Sequence, residues 1–121
     1  MVLVDTSVWI DHLRRGNSRL IGLLESGDVL CHSWVIGELA CGSLGNRTEI
    51  LALLAALPQA EQATLDDLLS FMHAGRLPGQ GIGLVDTHLL WASRRATCML
   101  WTHDKSLRRV AGRLGLAYEK N

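Results

Sequence analysis

Four acidic residues stand where a surface charge is out of place: Asp5, Glu38, Asp86 and Asp104. Asp5 closes the apolar run Val2-Leu3-Val4, and Glu38 follows Val35-Ile36-Gly37. Asp86 follows Ile82-Gly83-Leu84-Val85, and Asp104 comes after Met99-Leu100-Trp101-Thr102-His103. A carboxylate at the end of a core strand, or within a core helix face, is costly to desolvate unless something compensates it. Four such acids spread over the whole chain point to one shared compensator, and a divalent cation is the simplest. Carboxylates drawn together repel, and their pKa values rise unless a cation neutralises them. Mg2+ and Mn2+ prefer oxygen ligands, and Mg2+ keeps waters and recruits phosphate oxygens. Such a centre lowers the pKa of a bound water and stabilises charge on a phosphodiester under attack, with paired ions roughly 3.5–4 Å apart. Carboxylates without patterned His or Cys ligands argue against zinc.

Three of these acids also fit a purely structural account. Asp5 precedes Thr6 and Ser7 and suits a helix N-cap, Asp104 opens a helical stretch, and Asp86 lies near a helix start, where the dipole favours a carboxylate. Glu38 resists capping, because it falls in mid-helix about one turn from Val35 and Cys41; its structural alternative is a half-exposed Glu on a helix flank. Asp11, Glu25, Asp28, Glu49, Glu61, Asp66, Asp67 and Glu119 occupy polar, capping or terminal contexts and belong to solvent.

The elements that must position the four acids alternate in type. Met1 to Val4 reads as a buried parallel strand, and residues 6–15 have helical period, stopped by Gly16-Asn17. Ser18 is the expected cap of a second helix through Glu25, and residues 29–32 form a strand. Helices are expected over 34–44, 50–57, 65–74, 85–95 and 105–114, with Asn46 and Glu49 at capping-box spacing and Thr64 as another cap. Residues 97–102 read as a strand and 116–118 as a short last one, while the Gly- and Pro-rich stretch 76–83 is a loop. This alternation predicts an α/β fold around a mainly parallel central sheet. In such sheets sites form beyond the carboxyl ends of the strands, which is where Asp5 and Asp104 fall. No repeat or linker breaks the chain, so residues 1–121 are expected to form one domain.

Composition narrows the class but not the partner. A chain of 121 residues with 48% hydrophobic content can bury a real core. Its 12 Lys+Arg balance its 12 Asp+Glu. Cys31, Cys41 and Cys98 are odd in number, form no C-x-x-C pair, and read as reduced core residues of a cytoplasmic protein. Neither a signal peptide nor a membrane span is expected.

The stretches carrying the acids resemble the PIN-domain ribonucleases, specifically VapC-type toxins of type II toxin–antitoxin pairs. The resemblance rests on Val2-Leu3-Val4-Asp5-Thr6-Ser7-Val8-Trp9-Ile10, Val35-Ile36-Gly37-Glu38-Leu39-Ala40, Gly83-Leu84-Val85-Asp86-Thr87-His88-Leu89-Leu90 and Leu100-Trp101-Thr102-His103-Asp104-Lys105-Ser106-Leu107, in that order over essentially the whole chain. It implies a three-layer α/β/α fold with Asp5, Glu38, Asp86 and Asp104 as the catalytic acidic centre. It further implies that Asp5, Asp86 and Asp104 ligate Mg2+ or Mn2+, while Thr102, and Thr6 or Ser7, support the ligands. An RNA substrate, a cognate antitoxin, a homodimer and operator DNA bound only through the antitoxin complex are further implications.

Other residues offer weaker signals. Arg94, Lys105, Arg108 and Arg109 could track an RNA backbone, or form an ordinary solvated face. His88 and His103 flank two of the acids but read first as ordinary hydrogen-bonded histidines. The four tryptophans read as core or dimer packing, with Trp9 the best surface candidate and a possible contact for an antitoxin helix. Three functions fit these residues: a metal-dependent endoribonuclease, a phosphohydrolase using Asp5 as nucleophile, and a non-catalytic α/β binding module. The phosphohydrolase lacks an acid at Ser7 for a D-x-D pair, and the binding module leaves Glu38 unexplained.

Overall fold

In the computed structural model, which describes residues 1–119, a very small sheet is wrapped by helices. The last two residues of the expected 1–121 unit lie outside the described residues. Strand β1 (Val2–Val4) is followed by α1 (Thr6–Arg15), α2 (Ser18–Glu25), β2 (Val29–Leu30), α3 (Ser33–Cys41) and α4 (Arg47–Ala56). Then come α5 (Leu65–Gly75), α6 (Leu84–Ala96), β3 (Met99–Trp101) and α7 (Lys105–Arg113). The sheet order is β2-β1-β3, and both pairings are parallel. β1 is buried along its whole length, which explains its unbroken apolar sequence, Val-Leu-Val. Because β1 is central, its neighbours lie on opposite sides, and the crevice past its carboxyl end is the natural place for a site. The register sets Val4 opposite Trp101, and the Asp5 N–H donates to the Trp101 carbonyl at 2.9 Å. Residues just after β1 and just after β3 are therefore side by side.

The core joins the strands to Val8, Leu20, Val35, Leu39, Leu89, Leu90, Leu107 and Val110, all but fully buried. These positions recur at helical spacing, and their burial fixes which face of each helix looks outward.

Several local expectations are corrected. Asn17, not Ser18, caps α2, accepting the Leu20 N–H on Oδ1 at 3.0 Å. Asn46 takes a left-handed conformation with φ 52° and makes no side-chain cap, so the Asn46/Glu49 capping box does not form. Thr64 does cap α5, in a reciprocal box with Asp67. The expected strand over 97–102 starts only at Met99, because Thr97 is spent ending α6 with φ 53°. The last strand shrinks to one parallel bridge, Leu100 to Ala117. Cys31 and Cys98 are buried, but Cys41 is exposed at the end of α3. Trp9 is only 4% exposed, whereas Trp34 is 45% exposed: burial reverses the expected ranking of the two.

Candidate active site

Asp5 anchors the site. It is 6% exposed and precedes α1, yet its carboxylate makes no cap to that helix. Its Oδ2 instead accepts two hydroxyls, from Ser7 at 2.7 Å and from Thr102 at 2.7 Å. The Thr102 Oγ1 in turn accepts the Asp104 N–H at 3.0 Å, and the Ser7 Oγ accepts the His103 N–H at 2.9 Å. The turn after β3 is thus tied to the acid after β1 by side chains.

The other three acids are each held by a donor of their own. Asp104 is the cap expected of α7, its Oδ2 accepting the Leu107 N–H at 2.8 Å. Asp86, in the first turn of α6, accepts the Gly83 N–H on Oδ2 at 3.2 Å. Glu38, on α3, accepts the Thr6 hydroxyl on Oε1 at 2.6 Å, which joins α1 to α3. The structural account was therefore right about Asp104 and Asp86 as caps and wrong about Asp5. Exposure also divides the four. Asp5 is buried and Asp86 half-buried, but Glu38 and Asp104 are exposed, so desolvation bears on only two of them.

A pattern unites them. Each carboxylate has one oxygen anchored by the protein, while its second oxygen receives no protein donor among the described residues. Burial pushes the Asp86 carboxyl above its ordinary pKa, and the nearby charges of Asp5, Asp104 and Glu38 push the same way. Asp86 thus lies within electrostatic reach of the other three acids. They do not form a closed cage: among the described residues no group of three Asp, Glu, His or Cys side chains is preassembled around one ion. The set suits a divalent cation in charge and donor type, and its openness suits an ion that keeps part of its water.

The basic residues divide differently from expectation. Arg94 lies in the last turn of α6, at the other end from Asp86, and donates to the Leu114 carbonyl at 2.8 Å. Arg109 is committed to Gln80, at 2.7 Å to the backbone carbonyl and 3.1 Å to the side chain. Lys105 and Arg108 are exposed and have no side-chain partner among the described residues. Arg14 was missed. It is exposed on α1, lines one cleft with Glu38, and lines a second with Ser7 and His103. Its signal was in the sequence, since Thr6, Ile10 and Arg14 recur every fourth residue along one helix face.

The PIN domain family model matches residues 2–113. The chain belongs to the PIN-domain family. Among PIN-domain proteins it is of the VapC type: it is 44% identical over 118 residues to Ribonuclease VapC32 of Mycobacterium tuberculosis, strains H37Rv and CDC 1551, a match spanning 97% of this chain and 95% of that protein. The PIN-domain fold recurs in the crystal structure of FitAcB from Neisseria gonorrhoeae, with a TM-score of 0.64 and 19% identity over 93% of this chain and 94% of that one. It recurs again in the structure of FitAB bound to an IR36 DNA fragment, at a TM-score of 0.64 and 18% identity over 93% and 91% of the two chains. The α/β expectation with a parallel sheet is borne out.

Proposed function

We propose that this chain is the toxin of a type II toxin–antitoxin pair and a Mg2+- or Mn2+-dependent endoribonuclease. One observation supports the assignment: Asp86 feels the charges of Asp5, Asp104 and Glu38, and each of the four carboxylates has one oxygen held by the protein and one left open. A hard divalent cation there supplies charge neutralisation and a more acidic water for attack on a phosphodiester. Asp5, Asp86 and Asp104 are the assigned ligands, and Glu38 completes the acidic centre. Thr102 and Ser7 hold the Asp5 carboxylate in one orientation, and Thr6 does the same for Glu38. In the reaction, water adds to phosphorus as one ester P–O bond of the RNA breaks. Lys105, Arg108 and Arg14 are the cations available to the RNA backbone, whereas Arg94 and Arg109 are tied to carbonyls and would have to release them.

The same assignment places the protein in the cytoplasm as a homodimer whose antitoxin blocks the acidic site. Among the described residues no helix is long and apolar enough to cross a membrane. An apolar groove lined by Trp9, Leu13, Leu24, Ile50, Leu54 and Leu57 is the surface available to an antitoxin helix, and operator DNA is bound through that complex. The alternative phosphohydrolase is disfavoured because Ser7 stands where a D-x-D pair needs its second acid. The test is cleavage of cellular RNA by wild type and Asp5→Asn, with Mg2+ and with EDTA, followed by sequencing of the new 5′ ends. Cleavage should require both Asp5 and the metal; normal cleavage by Asp5→Asn, or an EDTA-resistant activity, rejects the assignment.

A further inference from the structure

The exposed ring of Trp34 is the feature that the acidic centre leaves unexplained. Trp34 and Glu38 are four residues apart on α3 and so share a helix face. The indole is 45% exposed, unusual for so large an apolar group beside a charged site. The backbone N–H of Trp34 donates to Nδ1 of His32, the cap of α3, at 3.0 Å, which fixes where the helix starts. Behind the indole lies the His88 ring, centroids 5.6 Å apart and planes tilted by 39°. His88 follows Asp86 by two residues on α6 and is itself backed by the fully buried His32 ring at 6.0 Å. Leu84, one turn before His88 on α6 and 56% exposed, is a second apolar side chain on this side of the site.

We propose that the outer face of Trp34 stacks on one unpaired base of the RNA, adjacent to the phosphodiester held at the acidic centre. The proposal rests on the ribonuclease assignment above. Three observations favour a base as the occupant. The bare indole offers a flat aromatic face, the kind of surface on which a single base stacks. It lies on the same helix face as Glu38, one turn away, so chain engaged at the acids passes over it. The His88 ring packed against it, itself backed by the buried His32, restricts the indole in advance, which lowers the entropic cost of stacking. Proteins read single-stranded RNA largely by stacking unpaired bases on aromatic rings. Trp34 is then a positioning residue that selects which linkage reaches the acids, and it tolerates any base while excluding paired RNA.

The test uses fluorescein-labelled single-stranded RNA decamers of A, C, G and U, with binding read by anisotropy in Mg2+. An Asp5→Asn background prevents turnover. Trp34→Ala should weaken binding about five- to 150-fold, while Trp34→Phe keeps most of it. An abasic nucleotide at one position of the tightest decamer should cause the same loss, with no further loss in Trp34→Ala. Equal binding by Trp34→Ala and its parent overturns the platform, as does failure of every decamer to bind. If Trp34→Ala instead changes the sedimentation coefficient while the abasic scan stays flat, the ring is covered by a second copy and the proposal is wrong. Wild type that cleaves no RNA, yet binds it through Trp34, would sink the nuclease assignment and leave the platform standing.

Discussion

The Thr102 hydroxyl donates to the Asp5 carboxylate at 2.7 Å across 97 residues of chain. The same oxygen accepts the Asp104 N–H, so one threonine orients two acids of the centre. Thr102→Val keeps the shape and removes both bonds. It should lower kcat about 10–100-fold, the usual cost of losing a group that orients a metal ligand. Stability should fall by about 1–2 kcal/mol, since the site is buried and the Asp104 N–H loses its partner. Single-turnover cleavage and urea unfolding measured on the same preparation decide it; an unchanged rate means the hydroxyl is only structural.

Glu38 offers a cleaner separation of activity from stability. It is exposed and, among the described residues, bonded only to Thr6, so Glu38→Gln should change stability by less than about 0.5 kcal/mol. Cleavage should nonetheless drop, and the Mg2+ concentration for half-maximal rate should rise. A metal titration that overlays wild type would remove Glu38 from the centre.

Asp86 stores electrostatic strain in the metal-free protein. Its carboxyl is held above the ordinary range, first by burial and then by the neighbouring acids. The folded state therefore binds this proton more tightly than the unfolded chain. The resulting stabilisation is full below the ordinary carboxylate pKa and is lost as pH rises through the raised value. At pH 7 without metal, Asp86→Asn should raise Tm by a few degrees, and the further rise expected of wild type in Mg2+ should be absent from the variant. A lower Tm in EDTA would show that the acids do not oppose folding.

His32 titrates in the opposite sense. Burial, aided by the neighbouring His88, lowers its pKa from 6.5 to about 4. Its contribution is intact above pH 6.5 and drains away as pH falls toward 4, by roughly 3 kcal/mol in all. Asn can replace its cap to Trp34, so His32→Asn should unfold with a flatter pH dependence between 5 and 7, whatever its absolute stability. Urea midpoints at those two pH values measure the slope; identical slopes would mean His32 does not titrate as argued.

The basic residues should separate by role. Lys105→Ala with Arg108→Ala should weaken RNA binding and shallow the log–log salt slope by about 1.4, some 0.7 per phosphate contact. Arg109→Ala should act mainly by loosening the loop at Gln80. Binding measured across a salt series distinguishes them, and a salt slope unchanged in the double variant would take the N-terminus of α7 out of the RNA path.

Much of this molecule was legible one residue at a time. The apolar run Val2 to Val4, the helical periods around Val8, Val35, Leu89 and Leu107, and the acids at strand ends are local patterns, and local hydrogen bonding and burial enforce them. Thr64 and Asp104 as caps belong to the same class, because a cap bonds within three residues of itself. Tertiary packing decided what periodicity cannot: which side of each helix is covered. Trp9 and Trp34 both sit in apolar periodic runs, but only Trp34 was left bare. The basic stretch gave no sign that Arg94 and Arg109 would be drawn to carbonyls of distant loops while Lys105 and Arg108 stayed out. The four acids follow the same division. Their identity and strand-end placement are written in the sequence. That each has one oxygen pinned and one open depends on hydroxyls brought from elsewhere in the fold, Thr102 to Asp5 and Thr6 to Glu38, and only a packed chain brings such partners within hydrogen-bond distance.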